Sequence, residues 1–129
     1  MFRPSRIRDV LSQALGPDVT AVFLFKPNGL PLSVVWSPDA PEDDRKSDVL
    51  VGAMSTSIFK GYQAPAGDVD ESEVVMLECE KGMLGITAVR GMVLTVLGAE
   101  GLEFGMLRLK LRTLAAAFSK VLDVDGAPK

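Results

Sequence analysis

The sequence predicts a small α+β sandwich in which five antiparallel strands and three helices follow one another as α-β-β-α-β-β-β-α. Three observations predict it. Apolar runs at 73–80, 83–89 and 92–98 are separated only by Lys81-Gly82 and Arg90-Gly91, glycine-containing connections of the kind that close hairpins. Segments near the two ends carry apolar residues at helical spacing. A β-branched and aromatic run at 19–25 leads straight into Pro27-Asn28-Gly29, a turn in which Asn-Gly accepts positive φ cheaply.

Each element has a local reason. Over 4–15, Ile7, Val10, Leu11, Ala14 and Leu15 share one helix face, Pro4 suits a first turn, and Gly16-Pro17 ends the helix. The strand at 19–25 is followed by one at 30–36, which Pro31 assigns to a sheet edge or a strand start. Residues 37–48 hold Asp39, Glu42, Asp43, Asp44 and Asp48 and read as an exposed loop entering a helix N-terminus, where carboxylates favour the dipole. A helix follows at 49–62, then a loop at 63–72, then the three-stranded meander. The last helix is predicted over 103–122, with Phe104, Leu107, Leu111, Leu114, Phe118 and Val121 as its core stripe. With 129 residues, the chain is expected to form a single domain over 1–129, residues 123–129 fraying as a tail.

The 49–62 helix is too apolar for one packing surface. Leu50, Ala53, Met54, Ser57, Ile58 and Gly61 form a stripe, and Val51, Ser55, Phe59 and Tyr62 widen it past half the circumference. A helix lying on one sheet needs a stripe of only about 100°. Gly52, Ser55, Thr56 and Ser57 are small enough to let another backbone approach. The strand carrying Val74-Val75-Met76-Leu77 would be the free edge of the meander, and such an edge invites pairing unless something blunts it. Together the two features predict a dimer whose sheet continues across two subunits.

Composition excludes much else. There is no histidine, so no Ser-His-Asp or Cys-His nucleophile and no imidazole zinc site can be built within the chain. A single cysteine, Cys79, permits no internal disulfide and no Cys-x-x-Cys pair, and its neighbours Glu78 and Glu80 favour a packing thiol over a reactive one. The chain does not need an oxidising compartment, so the cytosol is the expected location. The net charge of -3 and a pI near 4.9 argue against broad nucleic-acid binding. No apolar run approaches the length of a membrane span, Arg3, Pro4, Arg6 and Arg8 interrupt any signal-like stretch, and Phe2 and the final Ala-Pro-Lys carry no lipidation motif. Any membrane attachment is therefore expected to come through a partner. Gly98, Gly101 and Gly105 lack the spacing and the βαβ setting of a phosphate cradle. Glu42, Asp43, Asp44 and Asp48 could offer oxygens to Ca²⁺ or Mg²⁺ but lack EF-hand spacing, which favours a solvated loop and leaves a Mg²⁺-dependent enzyme as the rival from another class. Basic residues gather on the first and last helices while acids gather in the loops and the third strand, a polarity that can orient an encounter with a charged partner.

Several runs carry a resemblance. Met1-Phe2-Arg3-Pro4, Val10-Leu11-Ser12-Gln13-Ala14 and Phe104-Gly105-Met106-Leu107-Arg108-Leu109-Lys110 stand at the two ends. Asn28-Gly29, the 53–62 helix and Leu77-Glu78-Cys79-Glu80-Lys81-Gly82 fall between them. In this order the chain resembles the Roadblock/dynein light chain family, most closely its Ragulator-type members; the segments 37–46 and 64–72 depart from that pattern. The resemblance implies a five-stranded antiparallel sheet with helices on both faces and a non-catalytic adaptor without cofactor or metal. It implies a heterodimer with a second Roadblock subunit, with Val51, Met54, Ser55, Ile58, Phe59 and Tyr62 on the helix and Val75, Leu77 and Cys79 on the strand at the interface. It further implies a lipidated wrapping subunit that ties the pair to the late endosomal, lysosomal or vacuolar surface, and an assembly that holds Rag-type GTPases for TOR signalling. A self-paired Roadblock homodimer that regulates a small GTPase or serves a dynein-type motor is the alternative within the family.

Overall fold

The computed structural model of the chain describes residues 4–38, 54, 74–79 and 82–125. Its elements are α1 (Pro4–Ser12), β1 (Val19–Phe25), β2 (Pro31–Trp36), β3 (Val74–Cys79), β4 (Gly82–Val89), β5 (Met92–Gly98) and α2 (Phe104–Asp125). The strands form one antiparallel sheet of order β2-β1-β5-β4-β3. The N-terminal hairpin and the C-terminal meander thus join through β1 and β5, which lie at the centre. β2 and β3 are the two edges, in keeping with the positions that Pro31 and the meander imply.

β1 is buried along nearly its whole length because it faces apolar groups on both sides of the sheet. On one side Val22, Leu24, Val35, Leu94 and Val96 meet Ile7, Val10 and Leu11 of α1 and Leu107, Leu111, Leu114 and Phe118 of α2. On the other, Ala21, Phe23, Phe25, Val75, Ile86, Ala88 and Val93 form a second cluster. There Phe23 stacks on Phe25 with ring centroids 5.6 Å apart and meets Trp36 edge-on at 5.5 Å, geometries that suit the ring quadrupoles. Of the predicted 49–62 helix only Met54 is among the described residues, and its backbone is helical.

The structure corrects the sequence reading at several boundaries. α1 stops at Ser12 instead of running to residue 15; Ala14 N–H bonds to Leu11 and Leu15 N–H to Ser12, so the last turn tightens to i→i+3 bonds before Gly16-Pro17. Leu30 precedes β2 and is exposed; its N–H donates to Asn28 Oδ1 at 3.0 Å, and Gly29 alone of that turn takes a positive φ, 93°. Gly82 belongs to β4, opposite Cys79, and not to the turn. α2 continues to Asp125, beyond the predicted end at 122. Phe104, the first residue of α2, is 55% exposed, although its spacing placed it in the core stripe. The stripe is otherwise as spaced: Leu107, Leu111, Leu114 and Phe118 are buried and Val121 packs partly against them.

Glycine is required where backbones meet. Gly82 has φ +143°, and a Cβ there would run into the Gly98 carbonyl on the adjacent strand. At Gly98 a Cβ would lie 2.8 Å from Leu102 Cδ2, a side-chain end that would have to shift to admit it. Gly82→Ala is expected to lower the unfolding free energy by about 2–3 kcal/mol, read from urea denaturation. Thr95 Oγ1, fully buried on the second face, has no hydrogen-bond partner. Thr95→Val, which exchanges that hydroxyl for a methyl group, should raise stability by about 1 kcal/mol in the same assay; a loss of stability would show that the hydroxyl finds a partner in solution.

Candidate functional site

The two edges of the sheet are built differently. β2 opens on Pro31, which has no N–H to donate, and its register against β1 breaks between Leu24 and Phe25. A proline and an irregular register both blunt an edge against further pairing. β3 has neither. Val74-Val75-Met76-Leu77-Glu78-Cys79 keeps one unbroken register with β4, from Val74 opposite Thr87 to Cys79 opposite Gly82. Among the described residues no strand lies beyond it. A regular, mostly apolar edge strand is a template for main-chain pairing with another chain.

Alternation divides the β3 side chains between the faces. Val74 and Met76 turn to the helix-bearing face, where both pack partly against the core. Met76 reaches under α2 because β4 carries Gly85 there: a Cβ at that position would lie 3.2 Å from Leu111 and 3.4 Å from both Leu107 and Met76. This glycine is a feature that the sequence reading passed over; a lone Gly inside a strand is the signal that marks such a close approach. Val75 turns to the second face and is buried in its cluster, so most of its surface is already spent inside the chain. Leu77 is half-buried. Cys79 is placed by its backbone at the last rung of the ladder.

Of the helix positions named from sequence, Met54 is 37% exposed. Val51, Ser55, Ile58, Phe59 and Tyr62 lie outside the described residues, as do Glu42, Asp43, Asp44 and Asp48. The described part therefore brings Val75 and Leu77 together on one side of the edge strand, next to Ile86 and Leu84, their partners on β4.

The charge polarity read from the sequence has a place in the fold. Arg6, Arg8, Arg108, Arg112 and Lys120 are exposed on α1 and α2, which share one face of the sheet. Lys110 Nζ lies 3.5 Å from Asp18 Oδ2 and ties α2 to the α1–β1 connection, at a partly exposed position where such a pair contributes little. Among the described residues no group of three potential metal ligands comes together, and no helix is long and apolar enough to cross a membrane.

No protein-family model matches the chain. A Caenorhabditis elegans protein, the Ragulator complex protein LAMTOR2 homolog, is 32% identical over 117 residues, covering 90% of this chain and 89% of that protein. Among solved structures, the gliding protein MglB from Thermus thermophilus superposes with a TM-score of 0.77 at 16% identity, over 95% of this chain and 93% of that one. A Roadblock/LC7 domain from Streptomyces avermitilis gives 0.65 at 18% identity, over 92% and 97%. MglC from Myxococcus xanthus gives 0.65 at 14% identity, over 92% and 98%. At these identities the structural matches speak for the fold.

Proposed function

Because the chain belongs to the Roadblock/LC7 family, on the strength of its near full-length match to a LAMTOR2 homolog, we propose that this Roadblock adaptor works as a scaffold subunit of a Ragulator-like complex. In this reading it pairs with a second Roadblock subunit through the 49–62 helix and the β3 edge. A lipidated wrapping subunit holds the pair at the cytoplasmic face of the late endosome, lysosome or vacuole, and the assembly presents Rag-type GTPases to TOR signalling. No bond is made or broken by this chain; its work is to bury surface and hold partners in register.

The observation that carries the reading is the 32% identity spread over nine-tenths of both chains, to a protein whose name places it in the Ragulator complex. The contrast between the edges supports the pairing part. An unblunted β3 opposite a proline-blunted β2 gives the sheet one side on which it can grow. Main-chain bonds along β3 would set the register between subunits, and the apolar arc of the 49–62 helix, with Val51, Met54, Ser55, Ile58, Phe59 and Tyr62, would bury beside them. Val75, Leu77 and Cys79 are the strand positions that this reading assigns to the pairing.

Two variants test the pairing. Phe59→Asp places a carboxylate in the apolar arc, and Leu77→Lys puts on the edge strand the residue that natural sheets use to prevent edge pairing while leaving the backbone ladder to β4 in place. Each should weaken association with a co-expressed Roadblock partner by about 2–4 kcal/mol, while circular dichroism shows the chain still folded. Normal pairing by both folded variants overturns the interface.

Light scattering on the chain alone tests the wider reading. A species that becomes soluble and monodisperse only with a second Roadblock subunit supports the heterodimer. A stable homodimer moves the function to a self-paired Roadblock protein acting on a small GTPase, and a stable monomer at all concentrations overturns the shared-sheet mechanism.

A further inference from the structure

β3 carries a single charged residue, Glu78, in the run Val-Val-Met-Leu-Glu-Cys. Alternation puts it on the helix-bearing face with Val74 and Met76, which pack partly against the first core cluster. Its opposite number on β4 is Met83, packed partly against the same cluster. Glu78 itself is exposed, and β3 is the outermost strand among the described residues. Among the described residues it enters no ion pair. A charge set among apolar neighbours on an edge strand is one device by which natural sheets restrict edge pairing.

What that charge does depends on the strand that comes alongside. In the shared-sheet pairing proposed above, the 49–62 helices of both subunits bury on the same side of one sheet. A second copy of this chain would then be related by a two-fold axis perpendicular to the sheet, with the two β3 strands antiparallel. Directly opposed residues on antiparallel strands point to the same face, so Glu78 can be opposed only by a helix-face residue of the copy. Two such registers use five of the six residues of β3, one centred on Met76 and the other on Leu77. The first sets Glu78 opposite Val74 of the copy. The second sets it opposite Met76 and brings the two Glu78 side chains to diagonal positions about 7–8 Å apart, within reach of one another. Neither register supplies a cation, because β3 contains no Lys or Arg.

We propose that Glu78 selects the pairing partner: it disfavours a second copy of this chain and favours a partner strand with Lys or Arg opposite it. The inference rests on the shared-sheet reading. An apolar side chain closing over the outer side of Glu78 takes water from the carboxylate and returns nothing, whereas a cation returns a charge-assisted hydrogen bond. Opposite charges across two strands favour the sheet and like charges oppose it. Specificity is the difference between those two cases, so one residue acts on both sides of the choice. Val75 and Leu77 lie on the other face, so the positions assigned to burial and the position that chooses the partner are separate.

The test is native mass spectrometry of the full chain co-expressed with a Roadblock partner, which counts mixed pairs against self-pairs. The parent should give mixed pairs. Glu78→Thr should raise the ratio of self-pairs to mixed pairs about tenfold, with Glu78→Gln acting in the same direction. Titration of the purified chains should show Glu78→Gln pairing about threefold more weakly with the partner, with a smaller dependence on sodium chloride, and Glu78→Lys about tenfold more weakly. Circular dichroism checks that each variant folds, as expected for changes at an exposed position. If the Glu78 variants keep the parent's ratio and affinity while Phe59→Asp loses pairing, selection by Glu78 is overturned and the shared sheet stands. Normal pairing by Phe59→Asp, Leu77→Lys and the Glu78 variants alike overturns the shared sheet and this inference with it.

Discussion

The fold depends on one pair of strands. β1 and β5 lie side by side at the centre of the sheet and are apolar on both faces, Val22, Leu24, Leu94 and Val96 toward the helices and Ala21, Phe23, Phe25 and Val93 away from them. An antiparallel sheet with one wet face would show polar residues at every second position. These strands do not, so both faces must be kept from water, and each further element can be understood by which face it serves. α1 and α2 cover the first face, with the Leu107, Leu111, Leu114 and Phe118 ridge laid along it. The aromatic set Phe23, Phe25 and Trp36 makes the second face a core in its own right.

Closeness is what makes such a thin structure work. α2 reaches β4 because Gly85 offers no side chain beneath Leu107 and Leu111, and the β4–β5 ladder closes at its open end because Gly82 faces the carbonyl of Gly98. Interiors are packed to crystal-like density, so one added carbon at these points has to displace a neighbour. The same economy leaves room in only a few places. At Ala115 and Ala116 of α2 an open cleft lies against β4. Where α2 begins, Phe104, Met106 and Leu109 project into solvent.

The edges connect this architecture to its use. A sheet that ends in proline and an irregular register on one side, and in a straight apolar strand on the other, is asymmetric in its capacity to pair. In the proposed pairing that asymmetry matters: one growing edge gives a closed pair, whereas two would give an open chain of subunits.

The sequence by itself determined the local elements and their order, because hydrophobic period and turn chemistry act over a few residues. It marked the hairpins at Arg90-Gly91 and Asn28-Gly29, the α2 core ridge, and β2 and β3 as edges. It also pointed to Val75 and Leu77 as edge-strand residues. Only the tertiary structure decided how far each of these is already spent within the chain, with Val75 buried in the second cluster and Leu77 half-buried. It likewise decided that β1 pairs with β5, that Phe104 stays exposed, that α1 tightens after Ser12, and that Gly82 enters β4 against the Gly98 carbonyl. The contact from Arg90 to Ser119 belongs to the same class. Each of these joins residues far apart in the chain or depends on where a neighbouring strand ends, and periodicity along one segment carries no information about the distance to another.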